Sequence, residues 1–551
     1  MIGIIADESE KDAISEFFQL FKTPWEYYQE IQTYHVVIMA KDERRDVSNG
    51  KVIFIFSNER TCFDGDYGIG VNLKSSCGTL RTGDYIIPIY AGLACFENIP
   101  DKLAFLKQGH SIFGIKIQRD RQMIHRIGFN LFKEIRLLLT KGQPQEYALI
   151  PTLEIHIALL KTWILEAGVP VVEISPVPYG HDFIACLTHD ADFINIRDHV
   201  FDHTMGGFLY RALFVGFINF VRGRIPFSRV LRNWKAVLSL PFVFLGKADD
   251  FWFQFDRYME IEEGATSTFF LIPFKKRPGD KVSSSKRATK YDVMDMRKTV
   301  EKLIKKGHEI GVHGIDAWHS QEKGYQERRR INDATGNYKI GIRMHWLLFD
   351  HKTFSALEKA GYHYDSTLGY NDAVGYKSGT VQVFRPLGAI HLLELPLHIQ
   401  DTALFFPGRM NLSEKQAIDL CNLFIQNALC YGGILTINWH QRSLAPERLW
   451  GDFYLQLLQM LRVHRPWFAT AVQAVEWFEK RRRVTFDKVE FQDDKLHMTL
   501  RSEGMNALPG LSIRIHHPKN QKAPDMDQGT NRRGEYDEIP LTGLRDLEIS
   551  I

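Results

Sequence analysis

Short apolar runs alternate with amphipathic stretches through most of this chain. Residues 2–6 and 52–56 are apolar runs typical of buried strands, and residues 9–22 repeat apolar positions at helical spacing. This order predicts a small α/β domain near the N-terminus, and it favours a parallel sheet. Residues 183–187 and 434–437 are further apolar runs, with helical stretches between them. The middle of the chain is therefore predicted to form a second, larger α/β domain.

The pattern changes after residue 483. Residues 484–491, 496–500 and 511–515 alternate apolar and polar side chains, as half-buried antiparallel strands do. A carbohydrate-binding role and a purely structural role are both compatible with such a module. The predicted domains are an N-terminal α/β domain with a connecting helix over 1–170, a central domain over 175–482 and a small antiparallel β module over 483–551.

Two aspartates, Asp190 and Asp192, follow the apolar run 183–187. Because residues i and i+2 of a strand share a face, one strand end could present both carboxylates to one small site. Such a pair suits a metal ligand beside a general base. For an isolated Asp-x-Asp, an Asx turn after a strand is the alternative.

Histidine and arginine mark the ends of later predicted strands. His313 and His319 follow one short strand, Arg343 and His345 follow another, and His440 follows a third. Histidine and carboxylate together are the ligands of a hydrolytic Zn²⁺ or a similar divalent ion. In barrels of alternating strands and helices, catalytic groups gather at the carboxyl ends of the strands. We therefore predict that these side chains meet around one divalent metal ion, with Zn²⁺ expected.

The order of these motifs resembles that of the polysaccharide deacetylase (NodB-homology) family. The chain carries Thr-His-Asp-x-Asp, then His-Glu-Ile-Gly-x-His, then a strand with arginine, then a strand ending in Trp-His. Residues 264–270 and 361–367 resemble the family's second strand and its Tyr-Asp-Ser segment. The resemblance spans about residues 175–480. It implies that the central domain is an irregular (β/α) barrel and that the protein is a metal-dependent hydrolase removing N- or O-acetyl groups from sugars.

The resemblance implies that Asp192 and His313 bind the metal, but the chain departs from the family's pattern at the next ligand. The family's second histidine would fall at position 317, which is alanine here, and the next histidine is His319. The third ligand could be His319 or His345, which lies beside the arginine strand. We favour His319, because it shares a loop with His313 and needs less reorganisation of the chain.

The resemblance also implies catalytic roles. Asp190 would be the general base, and His440 would protonate the departing amine. Arg343 would orient Asp190 and keep its pKa low, and Asp365 would position His440. Two alternatives to a sugar deacetylase stay open. One is a catalytically degenerate member that binds a glycan or a partner, and the other is a hydrolase of a non-sugar C–N amide.

Residues 203–248 contain seven Lys or Arg, no Asp or Glu, and many aromatic residues. A basic, aromatic stretch of helical length can lie in the interface of an anionic membrane. The alternative is a helical insertion whose apolar face packs on the barrel. The basic residues that cluster between its two apolar segments are Arg222, Arg224, Arg229, Arg232 and Lys235.

The composition limits the kinds of partner that the protein is expected to bind. The net charge is only +3, which gives no bulk attraction to nucleic acid. We find no signal-peptide pattern and no uninterrupted apolar run of about 18 residues. We therefore expect a cytoplasmic protein, peripheral to the inner membrane if residues 203–248 bind lipid. The expected substrate is an acetylated sugar, linked to a nucleotide or a lipid, in the assembly of a surface polysaccharide.

Overall fold

The computed structural model divides the chain into two compact units. Unit 1 comprises residues 1–179, 376–387 and 476–551, and unit 2 comprises residues 180–375 and 388–475. The residues described are 1–43, 47, 50–74, 78–83, 85–200, 202–223, 225–448, 450–492, 495–501, 508–518, 531–533, 536–541 and 545–550. Arg224, one of the basic residues singled out above, lies outside them.

Unit 1 contains a mixed sheet of nine strands. The parallel strands are Ile2–Ile5, Trp25–Tyr27, Tyr34–Met39, Gly50–Phe56 and Gln122–Ile127. The strands added in antiparallel pairing are Gly70–Lys74, Leu93–Glu97, Ala104–Gln108 and Ser111–Arg119. The strands Gly78–Thr82 and Tyr85–Ile89 form a separate pair. The sheet is therefore parallel on one side, as predicted, and antiparallel on the other.

The helices of unit 1 bury apolar faces. The Lys11–Phe21 helix buries Ile14, Phe17, Phe18 and Phe21, which recur at the three- and four-residue spacing of a helix face. The Leu131–Thr140 helix begins at Asn130, whose side chain accepts hydrogen bonds from the backbone N–H groups of the first turn. The remaining helices are Cys62–Asp66 and Thr152–Glu166.

The C-terminal strands also belong to unit 1. Thr485–Gln492, Lys495–Arg501 and Arg545–Ser550 form an antiparallel sheet. Leu511–His516 pairs with Tyr536–Leu541 on one side and with Val171–Ile174 on the other, and Asn531–Arg533 pairs with Tyr536–Leu541. A strand that precedes the barrel therefore shares a sheet with strands that follow it. The division into three domains therefore stays a prediction. Contacts within the structure group the described chain into two compact units.

Unit 2 is built on one curled parallel sheet. Its strands, in spatial order, are Leu393–Glu394, Tyr364–Asp365, Gly341–Met344, Glu309–Gly314, Ser267–Leu271, Phe183–Ala191, Ile434–Asn438 and Ile399–Gln400, and Pro466–Phe468 also pairs with Phe183–Ala191. The Phe183–Ala191 strand is buried along its whole length. Such an all-parallel sheet, covered by helices, agrees with the barrel that the sequence predicts.

Helices follow most of these strands. They are Phe255–Ile261, Arg297–Lys305, Gln321–Thr335, Thr353–Lys359, Asp401–Phe405, Glu414–Tyr431, Gly451–Arg462 and Ala471–Arg482, the last of which runs into unit 1. Ser413 and Gln416 form a reciprocal capping box at the start of the Glu414–Tyr431 helix. Gly336 ends the Gln321–Thr335 helix with a left-handed backbone, at a φ of 70°.

The basic insertion forms two helical segments, His203–Val221 and Phe227–Phe244. Among the described residues, His203–Val221 is long and apolar enough, by length and composition alone, to cross a membrane. The sequence indicates a basic, aromatic stretch over residues 203–248 but no uninterrupted membrane-spanning run there. Polar residues such as Arg211 and Asn219 interrupt the apolar positions, although the average hydropathy of the helix remains high. Only a small part of its length is buried.

The parallel register brings the carboxyl ends of the central strands side by side. His313 lies opposite Arg343, and Thr188 lies opposite Asn438. Close packing beneath the arginine strand requires glycine at 341, because a Cβ there would lie 1.9 Å from the ring of Tyr364. The sheet thus places the side chains of several strand ends in one region.

Candidate metal centre

Asp192, His313 and His345 meet at the carboxyl end of the sheet in unit 2. The Nε2 atom of His313 lies 3.2 Å from Oδ1 of Asp192, and that of His345 lies 3.5 Å from the same oxygen. All three ligand atoms lie within 4.8 Å of one another. Zinc–ligand bonds of about 2.0–2.1 Å at tetrahedral angles place neighbouring ligand atoms roughly 3.4 Å apart. The spacing of these atoms therefore fits a single ion.

The hydrogen bonds around the cluster leave potential metal-ligand atoms without a protein partner among the described residues. Nδ1 of His313 lies 3.0 Å from the backbone oxygen of Arg343 and donates to it, which leaves Nε2 as a lone-pair donor. Oδ1 of Asp192 and Nδ1 of His345 are buried without a hydrogen-bond partner in the part of the chain that the structure describes. The close approach of this carboxylate oxygen to Nε2 of His313 suits a cation bound by both groups.

The protonation states also suit metal binding. Burial lowers the pKa of His345 to about 3, so this imidazole is neutral near pH 7, as a ligand must be. Burial opposes ionisation of Asp192, but the imidazoles of His345 and His313 outweigh it and hold the pKa of that carboxyl well below its usual range. The cluster thus offers one carboxylate and two imidazoles.

The structure corrects the preferred third ligand. His319 is not part of the cluster, because its Nε2 atom lies 3.3 Å from Oδ1 of Asp316 instead. The loop after the His313 strand is held by Glu327, whose carboxylate accepts the backbone N–H groups of Ile315 and Asp316. His345 takes the place beside His313, with its ring centroid 4.9 Å away.

Asp190 lies beside the cluster in a network of buried donors. Nη1 of Arg343 donates to Oδ1 of Asp190 at 3.0 Å and to the hydroxyl of Thr188 at 2.8 Å. Nδ2 of Asn438 donates to Oδ2 of Asp190 at 2.8 Å. Nε of Arg343 donates to the backbone oxygen of Ser366, and Nη2 donates to its hydroxyl. The predicted Asp190–Arg343 pair therefore forms, and Ser366 and Asn438 support it.

The charge of Asp190 is maintained by its neighbours. Burial raises the pKa of this carboxyl, but the Arg343 guanidinium and the nearby His313 outweigh burial and hold the pKa below its usual range. Nε2 of His313 lies 3.9 Å from Oδ2 of Asp190. Asp190 is thus an ionised carboxylate close to the metal cluster.

His440 lies at another edge of the cluster. Its Nε2 atom is 4.0 Å from Oδ2 of Asp192, and its Nδ1 atom donates to Oδ1 of Asp401 at 2.6 Å. The backbone N–H of His440 donates to Oδ2 of Asp401 at 2.7 Å. Burial lowers the pKa of His440, but Asp401, helped by Asp192 and Asp190, outweighs burial and raises the pKa to about 9. This histidine is therefore protonated at neutral pH.

The predicted role of Asp365 is wrong. This carboxyl accepts a hydrogen bond from the hydroxyl of Thr367 at 2.5 Å, and burial raises its pKa to about 6 beside Glu394. The group that orients His440 is Asp401, which sequence reasoning missed. Its signal was weak, because Asp401 follows a strand of only two residues, Ile399–Gln400, in a segment that contains a proline.

His189 of the Thr-His-Asp motif has a structural role. Its Nδ1 atom lies 2.8 Å from the backbone oxygen of Trp439, and its Nε2 atom lies 2.9 Å from Oε1 of Glu262. Neighbouring side chains of one strand point to opposite faces, so His189 points away from Asp190. Its buried contacts join the strand to Glu262, which directly follows the Phe255–Ile261 helix.

Comparisons with solved structures return several polysaccharide deacetylases and an allantoinase among the matches. They include a candidate polysaccharide deacetylase from Mycobacterium smegmatis, at 17% identity over 56% of this chain and 95% of that chain, with a TM-score of 0.33. PuuE allantoinase matches at 13% identity over 55% and 92%, and a probable polysaccharide deacetylase from Pseudomonas aeruginosa PAO1 matches at 14% over 54% and 92%, both with a TM-score of 0.33. A CE4 family pseudoenzyme is also among the matches.

No protein-family model and no curated protein matches the chain. The structural neighbours thus include polysaccharide deacetylases and a carbohydrate esterase, all at low identity. Because the TM-scores are low, we draw the chemistry from the residues of the site alone.

Proposed function

We propose that this chain is a metal-dependent hydrolase that removes an acetyl group from a sugar. The observation that carries the proposal is the arrangement around the cluster of Asp192, His313 and His345. An ionised carboxylate, Asp190, and a protonated imidazole, His440, both border this cluster. Hydrolysis of an amide needs both groups, since water must lose a proton and the departing amine must gain one.

Asp192, His313 and His345 would hold one divalent ion. Zinc is the ion that best suits two imidazoles and a carboxylate with a position left open. When bound, such an ion polarises an acyl oxygen and lowers the pKa of a water molecule. The Arg343 backbone oxygen keeps His313 in the tautomer that this role requires.

Asp190 would accept the proton of the attacking water. Arg343 and Asn438 each donate to one of its two oxygens, so the carboxylate is fixed in orientation and remains ionised. The permanent charge of arginine keeps this arrangement over the whole working pH range. Proton transfer by a positioned base contributes about 10²–10⁴-fold to the rate.

His440 would give its proton to the leaving nitrogen. Asp401 accepts from Nδ1, so the proton on Nε2 faces the cluster. With a pKa of about 9, the imidazolium is the main form at neutral pH and is a competent acid for an amine leaving group. An ester substrate would need this acid less, because an alkoxide is a better leaving group than an amide anion.

We further propose that the substrate is an acetamido sugar of a surface-polysaccharide precursor, joined to a nucleotide or a lipid and processed on the cytoplasmic side. The basic helices 203–248 support a precursor with an anionic carrier rather than a finished, uncharged polymer. This assignment of the substrate rests on the proposed hydrolysis.

Acetate release from purified, zinc-loaded protein tests the proposal. Acetylated glucosamine oligomers, acetylated xylan and non-sugar amides would be offered in parallel. Asp190→Asn should keep the metal and lose turnover, and His440→Ala should slow amide hydrolysis by about 10²–10⁴-fold. Stoichiometric zinc without acetate from either sugar would favour a degenerate glycan-binding protein. Turnover of the non-sugar amides alone would favour the other alternative, a hydrolase of a non-sugar C–N amide.

A further inference from the structure

The two helical segments of the insertion lie against each other. The ring of Phe217 stacks on that of Trp234 with centroids 6.3 Å apart, and Phe220 contacts Phe227 at 5.2 Å. These contacts pair late residues of the first segment with early residues of the second, as an antiparallel hairpin does. The hairpin therefore turns back on itself near Gly223.

One face of this hairpin is buried in unit 2. Its buried residues recur at helical spacing and join Trp252 and Ala445 in one apolar cluster. The hairpin residues of this cluster are Met205, Phe208, Ala212, Ala236, Leu240 and Val243. This inner face explains why the insertion is held on the barrel.

The opposite face is apolar as well, although it is exposed. Phe214 is 60% exposed and Leu238 is 75% exposed. The outward residues again follow helical spacing, so that each helix presents a continuous stripe. They are Tyr210, Leu213, Phe214, Phe217, Ile218 and Val221 on the first segment, and Phe227, Leu231, Leu238, Phe242 and Leu245 on the second. Exposed apolar surfaces of this kind mark interaction sites.

The charged residues of the insertion itself are all basic. Residues 203–248 hold seven Lys or Arg and no Asp or Glu. Arg229 and Arg232 form ion pairs with Glu414 and Asp452 of the barrel. Lys235 and Arg222, in contrast, are exposed to solvent. A positive rim around an apolar, aromatic stripe complements an anionic, apolar partner.

We propose that the hairpin formed by His203–Val221 and Phe227–Phe244 lies in the headgroup region of an anionic lipid bilayer. The apolar stripes would enter the acyl boundary by about 5–10 Å, and the basic side chains would reach the phosphates. A second copy of the chain fits the face less well. A twofold interface would place the same unneutralised cations, Arg222 and Lys235, on both sides of the contact.

Membrane contact at this hairpin would bring the catalytic cluster close to lipid. Arg442 stacks over Trp252 at 3.8 Å, and the side chain of Gln441 donates to the backbone oxygen of Trp252 at 2.8 Å. Gln441 and Arg442 directly follow His440. The inner face of the hairpin is therefore one packing layer away from the acid of the site. The inference itself does not depend on hydrolysis, since lipid binding is measured without substrate.

Vesicle co-sedimentation of the full chain tests the proposal. Vesicles of phosphatidylcholine with about 30% phosphatidylglycerol should bind the protein at least about tenfold more tightly than phosphatidylcholine alone. Phe214→Glu and Leu238→Glu should each weaken binding by about tenfold or more, because each places a negative charge in the apolar stripe. Lys235→Gln should weaken it about fivefold.

Val463→Glu is the matched control. Val463 is 81% exposed and lies at the end of the Gly451–Arg462 helix, outside the hairpin. This variant should bind vesicles like the unmodified protein. Absence of binding to anionic vesicles would overturn the proposal, as would equal binding by Phe214→Glu and Val463→Glu. A dimer that Phe214→Glu converts to a monomer in light scattering, with no effect on vesicle binding, would instead assign the face to a second copy.

Discussion

Replacing Asp401 by asparagine should change the titration of His440. The carboxylate accepts both Nδ1–H and the backbone N–H of His440, at 2.6 and 2.7 Å. Asparagine is nearly the same size and retains one acceptor oxygen, but it has no charge. The substitution therefore removes the main attraction that stabilises the imidazolium and leaves the surrounding packing in place.

The magnitude follows from the shift of the pKa. His440 titrates at about 9 instead of 6.5, although burial acts in the opposite direction. One pKa unit corresponds to about 1.4 kcal/mol, so the neighbouring carboxylates stabilise the charged form by roughly 3 kcal/mol over the burial cost. Asp192 and Asp190 contribute the smaller part. Asp401→Asn should therefore lower the pKa of His440 by about 2 units, close to its ordinary value.

The stability of the fold should depend on pH in a defined sense. A folded pKa raised above the unfolded value stabilises the folded state at pH values below about 6.5, and this contribution is lost as pH rises through about 9. The variant should thus lose about 2–3 kcal/mol of unfolding free energy at pH 6. The difference from the unmodified protein should shrink between pH 7 and 9 and become small above about pH 9.5.

Two measurements on metal-free protein check this prediction. Histidine-selective NMR would follow the imidazole of His440 through its titration, and urea unfolding at several pH values would give the free energy. Asp365→Asn is the control, because Asp365 was predicted from sequence to orient His440 but contacts Thr367 instead. An unchanged pKa of His440 in Asp401→Asn, or an equal shift in Asp365→Asn, would refute the reasoning.

Three further predictions concern the cluster and its support. His345→Ala should remove most of the bound zinc whereas His319→Ala should keep it, as measured by elemental analysis of dialysed protein; the reverse result would restore the ligand favoured from sequence. Arg343→Met should lower the free energy of unfolding by about 3–5 kcal/mol, because it leaves the Asp190 carboxylate buried without its cation, and denaturant titration would reveal a smaller loss if that carboxylate took up a proton instead. Gly341→Ala should also destabilise the fold, since the new Cβ would overlap a buried tyrosine ring, and an unchanged midpoint of thermal unfolding would contradict that close packing.

Much of the site was predictable because the pattern of strands is local. Asp190, Asp192, Arg343 and His440 each follow a short apolar run that periodicity reveals, and parallel strands bring their carboxyl ends together. The resemblance to a known family supplied the order of the motifs, and His313 fitted that order. These residues therefore meet in unit 2 as the sequence suggested.

The third ligand, His345, and the partner of His440, Asp401, depend on geometry that a local sequence pattern does not predict. The chain adopts left-handed backbone at Trp346 and Leu347, directly after His345, with φ values of 64° and 49°. Non-glycine residues rarely adopt this conformation, so the sequence does not predict it. Asp401 was missed for a different reason, because a strand of two residues is too short to show a period.

Pairing between strands that are distant in the chain could not be predicted from periodicity either. Val171–Ile174 pairs with Leu511–His516, and the alternation of the later strand indicates only that it belongs to some sheet. Which strand lies beside it is decided by side chains more than three hundred residues away in the chain. The predicted C-terminal module therefore contains the right strands, while one of its neighbours comes from the N-terminal region.

Arg343 contacts the cluster through both its backbone and its side chain, and the two contacts are independent. Its backbone oxygen accepts Nδ1–H of His313, and its guanidinium binds Asp190. The backbone oxygen is present whichever side chain occupies position 343. A variant without this arginine would therefore lose the support of Asp190, the proposed base, and retain an oriented His313. Metal affinity and the proposed turnover can consequently diverge through one substitution, so metal content alone is a poor measure of the proposed activity.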